Sequence, residues 1–337
     1  MRIVDIAVVV NGGVAETLQS TPLLRTLRAG FPTTRITIVC PSSAADVAEG
    51  IPPVDRVVSL KELRGSRRGS AGLWLALRKL RLDAVFLCTS GTLPIMAAYF
   101  AGIAERYGVG GAVGNMLLTG RVTAGRSENR AQTWLRLAQV AGIHQELHTP
   151  VFEPGPEARR RAERVLHAIG LADGRLLVAI APGTGFAEDG AASQATAWQP
   201  ERWALLANQL AQRHGAGILL VGSPDDRYAA ERTKLDLRAD ATDLVGEIDL
   251  PTLAGVVARC DLLVGSDTPL LQLAAAMGTP TVGLFGPTDG ARRGAYGSAH
   301  RVVQAVAPPR FEDMPPAPAT MEQIRVDDVL AGIESTL

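Results

Sequence analysis

Short apolar runs alternate along this chain with segments whose apolar positions recur at helical spacing. In the first half the runs are Ile3–Val10, Arg35–Cys40, Arg56–Leu60, Asp83–Cys88 and Arg106–Val109. Between them, Thr17–Ala29, Ala44–Glu49, Gly72–Leu80 and Leu93–Ala104 carry the period of helices, and a longer stretch, Glu128–Ala141, follows. The runs are apolar throughout instead of alternating, which predicts strands covered on both faces and hence a parallel sheet. The Pro-rich segment Thr149–Pro156 interrupts the rhythm and places a linker there or at the next helix, Glu157–Ile169. The rhythm then resumes. Strands are expected at Leu176–Ile180, Gly217–Val221, Asp243–Val245, Leu262–Val264 and Thr281–Phe285, and helices at Glu201–Arg213, Arg227–Leu235, Leu250–Ala258 and Pro269–Met277. A last helix, Met321–Ser335, follows a Pro-rich approach, Ala307–Pro318.

The pattern predicts an α/β fold of two Rossmann-like, doubly wound parallel-sheet domains, residues 1–155 and 156–318. The helix within 319–337 is expected to pack back on the first domain. Such a pair places a ligand in the interdomain cleft, outside the carboxyl ends of the strands. Composition sharpens this. The 337 residues hold 34 Lys+Arg and 34 Asp+Glu, so the net charge is zero, which argues against a general polyanion binder. Cys40, Cys88 and Cys260 each close or follow an apolar run, without the spacing of a disulfide framework or a zinc site. The five histidines show no metal spacing either. The opening MRIVDIAVVV carries Asp5 and lacks the basic start of a signal peptide, so it reads as a first strand. With no uninterrupted apolar stretch of about 18 residues, a cytoplasmic protein is expected.

The segment richest in chemistry is Leu262–Asp289 (LLVGSDTPLLQLAAAMGTPTVGLFGPTD). Thr268 before Pro269 is an N-cap with proline at the first helical position. A helix starting at the carboxyl end of a strand turns unpaired N–H groups and a dipole outwards, which makes an anion site. An ordinary capped crossover helix explains the same local pattern. Asp267 stands on the rim, placed for sugar hydroxyls. After the strand ending at Val221, a carboxylate in Gly222-Ser223-Pro224-Asp225-Asp226 suits the hydroxyls of a ribose, with Asp226 the first choice and a capping role equally open.

At these residues the chain resembles the ADP-heptose:lipopolysaccharide heptosyltransferase family, inverting glycosyltransferases of GT-B architecture. The family shows a strand, then D-S-G-P-x-H-L-A-A-A-x-G-T-P, then a strand and G-P-T; here Asp267–Pro280 reads DTPLLQLAAAMGTP. Ser20–Arg28 with Phe31–Pro32 is similar to the family's T-T-P-L-L-R-A-L-R and F-P, Trp198–Trp203 (WQPERW) to its W-P-x-x-x-W, and Asp289–Gly297 to its closing loop. The resemblance implies a metal-independent, cofactor-free transfer of a heptose or related sugar from an ADP-linked donor to an acceptor hydroxyl. The family's first loop carries a Gly-Asp pair whose Asp is the candidate base. Its place is taken here by Ala15 and Glu16, so Glu16 is the implied base; a first-turn acid favoured by the helix dipole is the lesser alternative.

The implied donor site comprises Gly183, Thr184, Thr196, Asp226, Asp267, Thr268 and Gln272. Three departures stand out: Thr196 replaces the family Lys, Gln272 its His, and Pro269 its Gly. Together they remove a cation and a donor from the diphosphate side. Compensation is expected from the Gly-rich loop Pro182–Gly190, from Arg292 or Arg293, or from the Thr196 hydroxyl. On the acceptor side, Lys61–Arg81 holds seven basic residues against one acid, Glu62. Its Gly/Ser-containing loop Arg64–Gly72, with Arg64, Arg67 and Arg68, suits a saccharide or glycolipid acceptor, or contact with the inner face of a membrane; a solvated loop before a packed helix is the plainer reading. Two alternatives remain at this level: the same fold with another donor sugar and a soluble specialised-metabolite acceptor, and a non-catalytic nucleotide-sugar-binding or scaffold protein.

Overall fold

The protein is described here by a computed structural model covering residues 3–61, 67–89, 91–112, 114–144, 147, 149–170, 175–184, 195–306 and 319–337; the side chains of residues 67–70 lie outside that description. The chain divides into two compact units, Met1–Glu153 and Pro154–Leu337.

In the first unit the strands are β1 (Asp5–Val10), β2 (Arg35–Pro41), β3 (Arg56–Leu60), β4 (Ala84–Cys88), β5 (Glu105–Val109) and β6 (Gly120–Val122). They form a parallel sheet ordered β3-β2-β1-β4-β5-β6. Its helices are α1 (Val14–Gln19), α2 (Thr21–Gly30), α3 (Ala45–Glu49), α4 (Arg67–Leu80), α5 (Thr92–Phe100), α6 (Gly114–Leu117) and α7 (Arg130–Val140). The second unit repeats the plan with β7 (Leu177–Ala181), β8 (Gly217–Leu220), β9 (Ala241–Asp243), β10 (Leu262–Ser266), β11 (Thr281–Phe285) and β12 (His300–Gln304), ordered β12-β11-β10-β7-β8-β9 and again parallel. Its helices are α8 (Gly155–Ala168), α9 (Pro200–His214), α10 (Arg227–Lys234), α11 (Leu250–Val257), α12 (Pro269–Met277), α13 (Gly290–Arg293) and α14 (Val326–Glu334). Each sheet therefore has the doubly wound order in which the chain reverses direction between its first and fourth strands. That switch point, β1/β4 in one unit and β7/β10 in the other, opens a crevice at the carboxyl ends.

Continuous apolar strands follow from burial on both faces: β1 from Ile6 to Val10, and all of β4, β7, β10 and β11, are buried. The expected helix Thr17–Ala29 is instead two helices. Pro22 has no N–H to donate to the Leu18 carbonyl; the Thr21 hydroxyl donates to that carbonyl at 2.7 Å, the Ser20 hydroxyl donates to Thr17 O at 2.7 Å, and the axis breaks at Ser20. The expected loop Arg64–Gly72 is helical from Arg67 onward.

A further correction concerns the C-terminal helix, expected to return over the first domain. Val326, Val329, Leu330 and Ile333 of α14 lie in the core of the second unit, with Met321 and Ile324 before them. The motif residues Trp198 and Trp203 hold this segment. They meet edge to face at 4.7 Å between ring centroids, and the buried Trp198 indole N–H donates to Ile324 O at 3.0 Å. Burying an indole requires such an acceptor, and the C-terminal segment supplies it.

Candidate functional site

In the first unit β1 runs into Asn11-Gly12-Gly13, and α1 starts at once, so its first-turn acid Glu16 lies just beyond the carboxyl end of the strand at the switch point. A Cβ at Gly12 would collide with the Glu16 carboxyl group, so only glycine lets the carboxylate fold back over this turn. Glu16 is mostly buried, and its Oε1 accepts a hydrogen bond from Arg130 Nη1 at 2.8 Å. Arg130 opens α7 behind the N-cap Asn129, whose side chain accepts from Ala131 N at 3.0 Å. The loop before it is set by Glu128, whose Oε2 accepts from Gly125 N at 2.9 Å, the Thr133 hydroxyl at 3.0 Å and Arg136 Nη2 at 3.1 Å. Sequence reasoning missed Arg130. It lies 114 residues from its partner, and no periodicity or local motif links the two. The pairing holds a mostly buried carboxylate in one orientation, which a general base needs in order to reach the proton it takes.

Of the basic segment, Arg64 lies outside the described residues. Arg67 and Arg68 fall in the first turn of α4, and their side chains lie outside the description. Further along α4, Arg78 lies over the Trp74 ring at 5.5 Å. Beside α4, α5 is buried at Pro94, Ile95, Ala97 and Ala98, yet its outward stripe of Leu93, Met96, Tyr99 and Phe100 is also apolar and exposed, as is Met116 of α6.

In the second unit four adjacent strands, β11, β10, β7 and β8, deliver their carboxyl-end loops side by side. After β10 the Thr268 hydroxyl caps α12 by accepting from Leu270 N, Pro269 occupies the first turn, and Gly278, at φ +82°, closes the helix in the left-handed conformation that glycine tolerates. Asp267, with 9% of its side chain exposed, pairs through Oδ2 with Arg293 Nε at 2.6 Å. Gln272 is buried, and its amide donates to the backbone carbonyl of Arg293 at 2.7 Å. The short α13 that carries Arg293 is capped by Asp289, which accepts from Ala291 N at 3.0 Å. Gln304 stitches the preceding Gly-Pro-Thr turn: its amide donates to the carbonyls of Phe285, Gly286 and Thr288 at 3.0, 3.0 and 3.1 Å, and its oxygen accepts from Gly290 N at 2.9 Å. Two buried hydroxyls on this edge, Ser266 Oγ and Thr288 Oγ1, have no hydrogen-bond partner among the described residues. Buried polar atoms of that kind call for a ligand or water.

Asp226 is buried in the β8 loop, where its Oδ2 accepts from Ser223 N at 2.8 Å and Ser223 Oγ at 2.9 Å in a capping box. Its other oxygen lies against Gly183: a Cβ there would overlap Asp226 Oδ1, so glycine lets the β7 and β8 loops close on one carboxylate. Thr184 and Thr196 are both buried; of the Gly-rich loop, residues 185–190 lie outside the described residues. The structure therefore brings Gly183 to Asp226, and joins Asp267 and Gln272 through Arg293, with Thr268 between Asp267 and the helix. Among the described residues no group of three His, Cys, Asp or Glu is placed to hold a metal ion, and no helix is long and apolar enough to cross a membrane.

The family model for glycosyltransferase family 9 (heptosyltransferase) matches residues 73–313, a span that includes every residue of the second-unit site and begins after Glu16. In sequence the chain is 25% identical over 288 residues to lipopolysaccharide heptosyltransferase 2 of Escherichia coli (strain K12), covering 82% of this chain and 81% of that one. In structure it is similar to a family 9 glycosyl transferase from Veillonella parvula DSM 2008, with a TM-score of 0.80 at 19% identity over 100% of this chain and 98% of that one. It is also similar to the E. coli heptosyltransferase WaaC with ADP, with a TM-score of 0.73 at 19% identity over 99% and 100%. The fold is that of GT-B heptosyltransferases.

Proposed function

The chain belongs to glycosyltransferase family 9, and from that premise we propose that it transfers a heptose or related sugar from an ADP-linked donor to an acceptor hydroxyl, with inversion and without a metal ion. Family membership sets aside the scaffold alternative: the protein is a glycosyltransferase. The observation that carries the finer reading is the ion pair of Glu16 with Arg130 at the switch point of one sheet, matched in the other by a helix start, two hydroxyls without a partner among the described residues and the Asp267–Arg293 pair. In this reading Glu16 takes the acceptor proton as the hydroxyl oxygen bonds to the anomeric carbon. The bond from that carbon to the phosphate oxygen breaks on the opposite face, and ADP leaves with the electron pair. The N–H groups opening α12 and the loop of Gly183, Thr184 and Thr196 receive the phosphates. Asp267 and Ser266 hold sugar hydroxyls, and Asp226 uses its Oδ1 for the ribose. Gln272 acts through Arg293, whose carbonyl it holds.

The acceptor in this reading is a saccharide or glycolipid. The net basic charge of Lys61–Arg81, with Arg64, Arg67 and Arg68, suits its anionic groups, and the exposed apolar stripe of α5 favours work at the inner face of a membrane. The replacements Thr196, Pro269 and Gln272 favour the second reading, in which the fold serves a different donor sugar and a soluble acceptor. One experiment tests the first reading: turnover of Glu16→Gln with ADP-heptose, alongside thermal shifts of both proteins with ADP, UDP and GDP. A nucleotide at about 100 times its Kd adds roughly 2.7 kcal/mol of stability. The expected result is a shift largest with ADP and equal in both proteins, with turnover lost only in the variant. Unchanged turnover would remove Glu16 from the base role, and equal shifts with UDP or GDP would remove the adenine preference.

A further inference from the structure

The donor site as described so far has an electrostatic problem. Its two buried or nearly buried carboxylates, Asp226 and Asp267, face a ligand class whose diphosphate is itself anionic, and the sequence lacks the Lys and His of the family pattern at Thr196 and Gln272. We propose that Arg293 is the cation that contacts the donor diphosphate, and that the Gln272 substitution is part of the device that holds it. This rests on the donor reading above and names a binding residue within it.

Three contacts converge on Arg293. Its guanidinium Nε lies 2.6 Å from Asp267 Oδ2, its carbonyl accepts the Gln272 amide at 2.7 Å, and its helix is fixed by Asp289 and Gln304. The backbone bond fits Gln272: a carboxamide NH₂ reaches a carbonyl from the second turn of α12 and adds no charge. The side chain is 38% exposed while its partner carboxylate is 9% exposed. The ion pair therefore lies on the buried side of the guanidinium, at its buried Nε, and the exposure belongs to the rest of the side chain. A planar guanidinium can keep one edge on a carboxylate and present another to a phosphate oxygen, which an ammonium point charge does less well. The pairing also answers the repulsion, because it neutralises Asp267 beside the start of α12. Arg292, its neighbour on the same short helix, serves as the comparison for loss of a positive charge at this end of the fold.

The test is the affinity of purified full-length protein for ADP and for AMP by calorimetry, in wild type, Arg293→Gln, Arg293→Lys, Arg292→Gln and the double variant Asp267→Asn/Arg293→Gln. Loss of one charge-assisted contact predicts that Arg293→Gln binds ADP about ten- to a hundredfold more weakly, since each tenfold is about 1.4 kcal/mol. AMP affinity should change less than about threefold, which also reports an intact fold, and the Lys variant should recover part of the loss. ADP binding by Arg293→Gln within about threefold of wild type overturns the proposal. So does full recovery in the double variant, which would mean that Arg293 only masks Asp267. If wild-type protein binds neither ADP, UDP nor GDP, the donor reading itself falls and takes this inference with it; binding of UDP or GDP in place of ADP moves the same comparison to that diphosphate and its monophosphate.

Discussion

At the scale of single residues, the ion pair between Glu16 and Arg130 separates what charge does from what position does. The carboxylate is held by a cation on an element far away in sequence, and over a glycine whose Cβ would displace it. Arg130→Met removes both charge and anchor, and turnover should fall by about one to two orders of magnitude, part of the roughly two to four orders that a positioned acid–base group contributes. Arg130→Lys keeps the charge but not the planar fork and should retain an intermediate rate. Nucleotide-induced thermal shifts should be unaffected in both, because every donor-site residue named above belongs to the second unit. A Met variant with full activity would show that Glu16 needs no partner. Glu16 was visible in the sequence through its offset from Pro22. Arg130 was not, because ion pairs across a fold leave no local pattern.

At the scale of elements, the strands and helices legible in the sequence are those whose faces are buried: β1, β4, β10, β11 and α12 stand where the apolar runs put them, and the Thr268–Pro269 cap starts α12 as expected. The strands that were missed, β6 and β12, are edges. β6 has three residues, and β12 reads HRVVQ with no residue fully buried, so neither shows the apolar run that a covered strand must have. β12 nonetheless carries a measurable consequence. His300 pairs in register with Thr281 of β11, and its Nδ1 lies 3.1 Å from the Thr281 hydroxyl. Burial, with Arg301 adjacent, lowers its pKa from 6.5 to about 4. The folded state then binds fewer protons than the unfolded chain between these values, so stability is full above about pH 6.5 and falls as the pH drops towards 4. Between about pH 7.5 and pH 4.5, His300→Gln should lose less stability than wild type by on the order of 2 kcal/mol. Asp83 and Asp249, whose pKa values are lowered by hydrogen bonds to Val4 N and Asp5 N and to Thr252, lose their contribution only at lower pH. Chemical denaturation at the two pH values checks this, and equal losses in both proteins would show that His300 is free to charge in the fold.

At the scale of the whole molecule, a zero net charge rules out long-range attraction to an anionic surface as a property of the chain, so any such attraction must come from one region. Residues 63–104 hold six basic residues and one acid, Asp83, and the same stretch contains α5, whose outward side is as apolar as its inward one. A helix apolar all round is normally buried; Leu93, Met96, Tyr99 and Phe100 are not. Aromatic and Met side chains on a helix packed beside the basic α4, with Arg106 lying over the Tyr99 ring at 5.4 Å, are the components of an interfacial contact, in which apolar insertion and charge act together. Each basic side chain near an anionic leaflet contributes about 1 kcal/mol, an amount that salt screens. The protein should therefore co-sediment with vesicles containing phosphatidylglycerol at low salt and release as salt rises, while ignoring pure phosphatidylcholine. Phe100→Ser with Met96→Ser should weaken binding to the anionic vesicles, and Arg78→Gln with Lys79→Gln should weaken it and flatten the salt dependence. Equal binding to both lipids would assign the contact to insertion alone. No binding, accompanied by concentration-dependent association in sedimentation velocity that the Phe100/Met96 variant abolishes, would instead assign the stripe to a second copy of the chain.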